Sequence, residues 1–401
     1  MNILLFSQRF WPENFRINNI AEKLSNRNNI FVVTEKPNYP SGKIKKKYNK
    51  SKFLYEKYKN IKIYRSPTIE RGKNNKIQLL LNYLNFIIIS PIVLYKNFKK
   101  KKIDIIFIYA TSPIFQAVPA IIFGKFYKIP IVLWVQDIWP DVVKDLDIIK
   151  KKFILNLINF FVNKIYNNSD YIFVQSESFK KKISKNINKK IEVLFNPENK
   201  KVRKINTNIK SKNFIITYAG NIGKAQSFDT LVKAVRKMNN PNIKIHIYGD
   251  GSEKNILKKN ITKFNLSNNI KLFKPISKTK IDIVLSKSDA FLLILGKGDG
   301  LASTLPAKIQ TYISHGKPII VSSDGESYNF VKKYKLGFVS NAGNFDNLCK
   351  SILKTQKLKK KNINFIRNRS IDVFKKNFEI NKWTKKLEQK LEKFAEDYRR
   401  R

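Results

Sequence analysis

The chain has 401 residues, of which 42% are hydrophobic and 12% aromatic, and its formal net charge is +51. This length and composition exclude a disordered chain and predict two domains of roughly 200 residues each. A single cysteine, Cys349, excludes an intramolecular disulfide. With only two histidines besides, thiolate- or imidazole-based metal clusters lack the ligands that they need.

The positive charge has two interpretations. Lysine and asparagine occur throughout the chain, as in proteins encoded by AT-rich genomes, and they do not gather into one motif. Alternatively, the surface attracts polyanions, either nucleic acid or anionic lipid. The even distribution favours the first interpretation, although a weak attraction to acidic membranes follows from either.

Short apolar runs alternate with longer amphipathic stretches, which predicts parallel sheets with helical crossovers. The predicted strands of the first half are Ile3–Phe6, Ile30–Thr34, Ile61–Arg65, Ile103–Tyr109, Ile131–Val135, Tyr171–Gln175 and Ile191–Phe195. Because the chain begins with a buried strand and without a basic leader, we expect a cytoplasmic protein.

The segment Ile77–Tyr95 is almost continuously apolar. Three amide side chains interrupt it on one helical stripe, Ser90-Pro91 breaks it, and a run of lysines follows. It is short for a membrane-spanning helix. It predicts either a helix that lies in the membrane interface, with lysines reaching the headgroups, or a core helix with a basic end. The amides are Gln78, Asn82 and Asn85, and the lysines are Lys96 and Lys99 to Lys102.

A lysine-rich stretch at 196–212 is interpreted as a linker between a first domain at 1–195 and a second at 213–370. The predicted strands of the second domain are Phe214–Ala219, Ile243–Tyr248, Ile270–Phe273, Ala290–Leu295 and Pro318–Val321. The segment 371–401 contains a helix that we expect to pack back on the first domain, with Trp383, Leu387, Leu391 and Phe394 on one face. Two doubly wound α/β domains facing a central cleft are the simplest interpretation, with ligands beyond the carboxyl ends of the strands.

Three turns rich in small residues follow strands of the second domain, at 218–226, 248–252 and 298–308. Glycines in such turns let backbone amides approach a diphosphate, and Lys224 adds a mobile positive charge. The first turn is not a P-loop, because Tyr218 stands where that motif requires glycine. Each turn alone is equally a tight strand–helix connection, but together they favour a phosphate-bearing ligand.

In the first domain, the first strand is followed by Trp11 to Arg16 rather than by Gly-x-Gly-x-x-Gly, which argues against a dehydrogenase. The stretch from Trp134 to Asp141 places aromatic rings and carboxylates at a strand end. This pattern suits a carbohydrate or, equally, a capped helix start with core aromatics. Asp145-Leu146-Asp147 resembles a metal-binding motif but does not follow a strand, so we interpret it as helix surface.

These motifs resemble family 4 retaining glycosyltransferases of the GT-B fold, and among them the WbuB-type transferases of bacterial O-antigen and capsule assembly. The matching stretches are FWPENFRIN at 10–18, KPNYPSG at 36–42, WVQDIWPD at 134–141, AGNIGKAQ at 219–226 and PAKIQTY at 306–312.

The resemblance implies a metal-independent hexosyltransferase that needs no cofactor and binds no nucleic acid. It would move a sugar, such as N-acetyl-L-fucosamine, from a UDP-sugar to an undecaprenyl-diphosphate-linked sugar in O-antigen or other lipopolysaccharide biosynthesis. The enzyme would then lie peripherally on the inner face of the cytoplasmic membrane, against anionic lipid.

The resemblance also implies site residues. Lys224 would neutralise the departing UDP, and Asp137 would orient the acceptor or act as a base. The donor would contact Gly220, Asn221, Gly223, Gln226, Gly249, Asp250, Gly251, Pro275, Ile276, Ser303, Thr304, Lys308 and Thr311. The acceptor would contact Trp11, Glu13, Asn14, Arg16, Asn38, Tyr39 and Gln136.

The chain departs from the usual family 4 pattern in two places. The family carries two glutamates where this chain has Ser303 and Thr311, and its diphosphate loop carries an arginine and a lysine where this chain has Asn221 and Gln226. The resemblance therefore does not identify the group that binds the sugar hydroxyls. Two alternative functions also remain: a GT-B sugar-nucleotide epimerase, and a polyanion-binding protein, which would lack a recognition-helix motif.

Overall fold

The structure is a computed structural model that describes residues 1–49, 53–73, 75–145, 149, 151–199, 213–277 and 280–400. These residues form two compact units. The first comprises Met1–Asn196 and Ile380–Arg401, and the second comprises Pro197–Glu379. The division falls at the start of the predicted linker, of which residues 200–212 lie outside the described residues. Leu146 and Asp147 of the Asp-x-Asp motif lie outside them as well.

The first unit is built on an eight-stranded sheet in the order β3-β4-β2-β1-β5-β6-β7-β8. Only the β3–β4 pair is antiparallel among the pairs in this sheet. The strands are β1 Asn2–Phe6, β2 Asn29–Glu35, β3 Leu54–Tyr58, β4 Ile61–Ser66, β5 Ile105–Ala110, β6 Ile131–Val135, β7 Tyr171–Val174 and β8 Ile191–Val193.

Both faces of this sheet are covered by core clusters. Neighbouring side chains on a strand point to opposite sides, so a strand such as β1 contributes to both clusters. Leu4 and Phe6 of β1 belong to one core cluster, whereas Ile3 and Leu5 belong to the other. Helices α2, α3 and α5 contribute to the first cluster, and α1 contributes to the second. The helices are α1 Arg16–Leu24, α2 Lys76–Phe98, α3 Val118–Phe126, α4 Asp141–Asp145, α5 Lys152–Asn167 and α6 Glu177–Ile183.

The second unit has a six-stranded, all-parallel sheet in the order β11-β10-β9-β12-β13-β14. Its strands are β9 Phe214–Ala219, β10 Ile243–Tyr248, β11 Ile270–Phe273, β12 Ala290–Ile294, β13 Ile319–Ser322 and β14 Gly337–Ser340. Its helices are α7 Phe228–Met238, α8 Lys254–Lys263, α9 Ile281–Ser286, α10 Asp299–Ser303, α11 Lys308–Ser314, α12 Glu326–Lys333, α13 Phe345–Gln356 and α14 Lys360–Asn377.

The last helix, α15 at Ile380–Arg399, belongs to the first unit. Trp383, Leu387, Leu391 and Phe394 are buried in the core cluster that α1 also contacts. The Trp383 indole nitrogen donates to the carbonyl of Phe195 over 2.7 Å. The preceding helix α14 runs across the predicted boundary at residue 370 and ends within the second unit.

The predicted architecture of two doubly wound α/β domains is confirmed, and every predicted strand is present with bounds shifted by two residues at most. Strands β3 and β14 were not predicted. Both lie at sheet edges, where half-exposed side chains obscure the apolar signal of a buried strand. In β3, intermediate and exposed residues alternate.

Candidate functional site

In the second unit, the turns after β9 and β10 are stacked directly on each other. The amide of Gly220 donates to the carbonyl of Tyr248 over 2.9 Å, and the amide of Ile222 donates to that of Asp250 over 2.8 Å. A Cβ at Gly249 would lie 1.9 Å from the carbonyl oxygen of Gly220, so only glycine fits. The structure therefore brings these two predicted turns together at the carboxyl edge of the sheet.

The loop from Asn221 to Gln226 is held by its own amides. The Gln226 carbonyl oxygen Oε1 accepts from the backbone nitrogen of Gly223 over 3.0 Å and from Asn221 Nδ2 over 3.3 Å. Lys224 is exposed and begins a short 3-10 turn that leads towards α7. Gln226 thus shapes the loop, and Lys224 is the residue free to extend from it.

Lys308, the first residue of α11, sends its side chain back to the same loop. Its Nζ lies 3.9 Å from the centre of the Tyr218 ring and 2.8 Å from the place that a Cβ on Gly220 would take. Burial lowers the pKa of Lys308 to about 7. The structure therefore places a second lysine, drawn from the third predicted turn, against the Gly220 end of this loop.

The hydroxyls of that third turn are directed into their own helix. Ser303 Oγ donates to the carbonyl of Asp299 over 2.6 Å, and Thr304 Oγ1 donates to that of Gly300 over 2.8 Å. Such side-chain bonds to the backbone carbonyl four residues earlier occupy the hydroxyl hydrogens. The resemblance assigns both residues to donor contacts, and in this structure their hydroxyl hydrogens are engaged within their own turn.

Glu198 is a site residue that the sequence did not indicate. Thr311 Oγ1 donates to Glu198 Oε2 over 2.9 Å, across 113 positions of sequence. The backbone nitrogen of Glu198 donates to the carbonyl of Phe378 over 2.8 Å, which fixes this part of the chain. A carboxylate therefore reaches the place where family 4 carries a glutamate, but from a distant part of the chain. No local motif could have revealed it.

The remaining predicted donor residues lie at the same edge of the sheet. Gly251 has a φ of +153°, and a Cβ there would lie 2.2 Å from the carbonyl oxygen of Ile222. Asp250 is exposed and lies 3.5 Å from Lys254 Nζ. Pro275 and Ile276 follow β11, the neighbour of β10. Among the described residues, no group of three His, Cys, Asp or Glu side chains could hold a metal ion.

In the first unit, Glu13 ties together two of the predicted acceptor loops. Its Oε1 accepts from the backbone nitrogens of Asn38 over 2.7 Å and Tyr39 over 2.6 Å. Its Oε2 is buried and has no hydrogen-bond partner among the described residues. Burial raises the pKa of the Glu13 carboxyl, against the lowering effect of Arg9. One oxygen of this carboxyl group is thus buried without a hydrogen-bond partner among the described residues.

Beneath Glu13 lies a buried network that the sequence did not predict. Arg9 is paired with Glu35 and donates to Asn38 Oδ1 over 2.9 Å. Asn82 Nδ2, from α2, donates to Glu35 Oε2 over 3.0 Å. Burial raises the pKa of Glu35, although the Arg9 charge opposes it. This network fixes the loops that carry Glu13 and Asn38.

The predicted WVQDIWPD motif divides between site and core. Ser112 donates to Asp137 Oδ2 through its hydroxyl over 2.8 Å and its amide over 3.1 Å. Burial raises the pKa of Asp137. Gln136 is buried and accepts at Oε1 from Asn196 over 3.0 Å. Trp134 is fully buried against Trp383, so it is a core residue.

The other predicted acceptor residues surround the Glu13 loop. The Trp11 ring stacks on Tyr58 with ring centres 4.3 Å apart. The Tyr39 ring is 44% exposed, and the Arg71 guanidinium lies 5.0 Å from its centre. Asn14 is exposed, and Arg16 is the first residue of α1. These aromatic faces and polar groups form a partly open surface.

Residues 199–370 match the family model described as glycosyl transferases group 1. A comparison with the sequences of curated proteins gives no significant match.

Solved structures match the whole chain. HepE of Anabaena, in complex with UDP and glucose, is 13% identical with a TM-score of 0.68, covering 98% of this chain and 99% of HepE. Sucrose-phosphate synthase of Thermosynechococcus elongatus is 12% identical with a TM-score of 0.75 and covers 98% of both chains. The lipopolysaccharide outer core galactosyltransferase WaaB is 16% identical with a TM-score of 0.66, covering 97% of this chain and 98% of WaaB. The fold is thus that of GT-B glycosyltransferases. Together, the fold and the group 1 domain in the second unit support a glycosyltransferase of the GT-B type.

Proposed function

We propose that the protein transfers a sugar from a UDP-sugar to a lipid-linked saccharide, with retention of configuration and without a metal ion. The observation that carries the proposal is the glycine-lined loop at 220–226, which carries the exposed Lys224 and is contacted at Gly220 by Lys308. Backbone amides, a helix start and amines together form a diphosphate site. The complex of HepE with UDP and glucose supports the choice of nucleotide.

In this proposal, the two cations act on the leaving group. Lys224 extends from the loop, and Lys308 lies beside Gly220, so both amines neutralise the charge that grows on the departing UDP. Groups that are fixed before the reaction stabilise such charge most effectively. The acceptor hydroxyl attacks from the face of the leaving diphosphate, whose oxygen takes its proton, so the configuration is retained.

The carboxylate of Glu198 takes the place of a glutamate that the chain lacks at Thr311. It accepts from Thr311 through Oε2 and from the backbone nitrogen of Asn199 through Oε1, and each carboxylate oxygen can accept a second bond, here from hydroxyls of the donor. In this assignment, Glu198 supplies a carboxylate that binds the hydroxyls of the sugar or ribose, although positions 303 and 311 are not glutamates.

For the acceptor, we propose Glu13 and Asp137. The Oε2 of Glu13 is buried without a hydrogen-bond partner among the described residues, so an acceptor hydroxyl that reaches it can donate to it. Asp137 is held by Ser112 and orients the acceptor hydroxyl, whose proton passes to the diphosphate oxygen. An undecaprenyl-diphosphate-linked sugar is the proposed acceptor, in lipopolysaccharide or O-antigen assembly on the cytoplasmic face of the membrane. WaaB, which shares the fold, is a lipopolysaccharide outer core galactosyltransferase. N-acetyl-L-fucosamine is the proposed sugar.

A screen of UDP-sugars with an undecaprenyl-diphosphate-sugar acceptor tests the proposal. We expect transfer without added metal, at a rate that a metal chelator does not change. Lys224→Ala should lower the transfer rate by on the order of 10². Lys233→Ala is the matched control, because Lys233 is an exposed lysine on α7. Near-normal transfer by the Lys224 variant would remove it from the mechanism.

The same screen separates the alternatives. An epimerase would isomerise a UDP-sugar with no acceptor present. A polyanion-binding protein would bind duplex DNA at physiological salt and would not retain UDP.

A further inference from the structure

The exposed apolar side chains of the described residues are concentrated on one side of the first unit. Of the 21 large hydrophobic side chains that are exposed, seven lie on α2, two on α3 and five on α5. Only three lie in the second unit. We call the outer sides of α2, α3 and α5 the three-helix face. Large contiguous apolar surface of this kind marks an interaction site.

Helix α2 presents a regular apolar stripe to the outside. Ile77, Leu84, Ile88 and Tyr95 recur at spacings of seven, four and seven residues and are 73%, 43%, 65% and 53% exposed. Such spacing places them on one helical side. The opposite side is buried, with Phe86 in the core cluster. The core-helix interpretation therefore accounts for one side of the helix, and the exposed stripe on the other side is what the membrane-interface interpretation requires.

Helices α3 and α5 extend the apolar surface beyond α2. Phe126 on α3 is 77% exposed, and Phe153 at the start of α5 is 78% exposed. Phe160, further along α5, is exposed as well. The inner sides of all three helices pack into the same core cluster, as Val162 shows for α5. They therefore lie on the same side of the sheet.

The charge on these helices identifies the occupant. None of α2, α3 and α5 contains an aspartate or glutamate. Lysines stand at their ends, including Lys96, Lys99, Lys152 and Lys164. An apolar face with lysines around it fits an anionic lipid surface. The apolar side chains contact the lipid acyl chains, and the lysine amines bind the anionic headgroups. A second copy of the protein would instead bring the same lysines together.

Helix α2 cannot leave the fold to cross the membrane without breaking buried bonds. By length and composition, it is the one helix of the described residues that could span a bilayer. However, the Asn82 side chain is fully buried and donates to Glu35 and to the carbonyl of Ile69 over 2.8 Å. Contact through the outer side alone keeps these bonds.

We infer that the first unit docks on anionic membranes through the three-helix face, lying in the interface without spanning it. The contact uses Phe126 and Phe153 as well as the α2 stripe. This inference does not depend on the proposed reaction, because lipid binding and sugar transfer are measured separately.

Flotation of the full chain with vesicles tests the inference. We compare phosphatidylcholine alone with phosphatidylcholine that contains about one-third phosphatidylglycerol. The protein should float with the anionic vesicles and much less with the neutral ones. Ile88→Asp and Phe153→Asp should each lower the bound-to-free ratio by roughly tenfold or more, since burial of one such side chain is worth that factor. Ile283→Asp, at an exposed site on α9 in the second unit, should leave flotation unchanged.

Three results would overturn the inference. The first is wild-type flotation by the Phe153 variant, and the second is an equal loss in the Ile283 control. The third is a dimer in sedimentation equilibrium that Phe153→Asp dissociates, which would assign the face to a second copy. The thermal unfolding midpoint and the circular dichroism spectrum of each variant confirm that it is folded. Phe153→Ser gives a milder version of the same test.

Discussion

Replacement of Lys308 by methionine would remove the amine beside Gly220 while keeping the length of the side chain. If this amine binds the donor diphosphate, the variant loses a charge-assisted hydrogen bond worth about 1.5–3 kcal/mol. The dissociation constant for UDP should then rise by about ten- to hundredfold at pH 7. Titration calorimetry with UDP measures this change directly.

The pH dependence of UDP binding is the sharper signature. With a pKa of about 7 in the empty site, half of the amines carry a charge at pH 7 and about one in a hundred at pH 9. UDP binds the charged form, so affinity should fall by about fiftyfold between these pH values. The terminal phosphate of UDP is already largely ionised in this range, since such groups titrate near pH 6. Lys308→Arg should bind UDP with little pH dependence, because arginine stays charged.

The stability of the fold provides an independent check. The pKa of Lys308 is lowered from its ordinary value of 10.5, so between pH 7 and 10.5 the unfolded chain holds this proton more tightly. Stability should therefore rise with pH through that window, and Lys308→Met should remove this rise. Unchanged UDP affinity in the methionine variant, or the same pH slope in the arginine variant, would refute the role of Lys308.

Three further predictions concern other parts of the structure. Gly249→Ala should destabilise the second unit by about 1–3 kcal/mol and weaken UDP binding, because its Cβ meets backbone. Gly223→Ala, where the neighbour is a flexible side chain, is the control, and equal urea midpoints would contradict the packing argument. Glu198→Gln should lower kcat/KM for transfer by roughly tenfold or more without changing the thermal midpoint, and wild-type kinetics would exclude it from the site. Asn82→Leu should cost about 1–3 kcal/mol in urea unfolding, because Glu35 loses a buried partner; no change would show that this network does not stabilise the fold.

The fold could be predicted because buried strands carry a strong local signal. All twelve predicted strands are found, whereas the edge strands β3 and β14 were missed because their side chains are partly exposed. The glycine turns were also visible, since their close contacts require glycine at fixed places. Lys308 was assigned to the donor, but its position above Tyr218 depends on how α11 packs against β9.

Long-range contacts explain what the sequence did not reveal. Glu198 meets Thr311 across 113 positions, and Asn82 meets Glu35 across 47. Neither pair leaves a pattern in the local sequence. The sequence shows that Asn82 interrupts the apolar α2 segment. It does not show that Asn82 bonds to Glu35, because that contact depends on how the helix packs on the sheet.

Helix α15 has a consequence for how the protein is made. Its aromatic residues complete the core of the first unit, yet they are separated from the rest of that unit by the whole of the second. During synthesis from the amino terminus, the unit that is started first is therefore the one that is finished last. Until α15 emerges from the ribosome, the side of the sheet that Trp383 and Phe394 cover stays open to water. A fragment that ends at Asn196 would keep this surface exposed permanently, and we expect it to aggregate unless a peptide containing α15 is supplied.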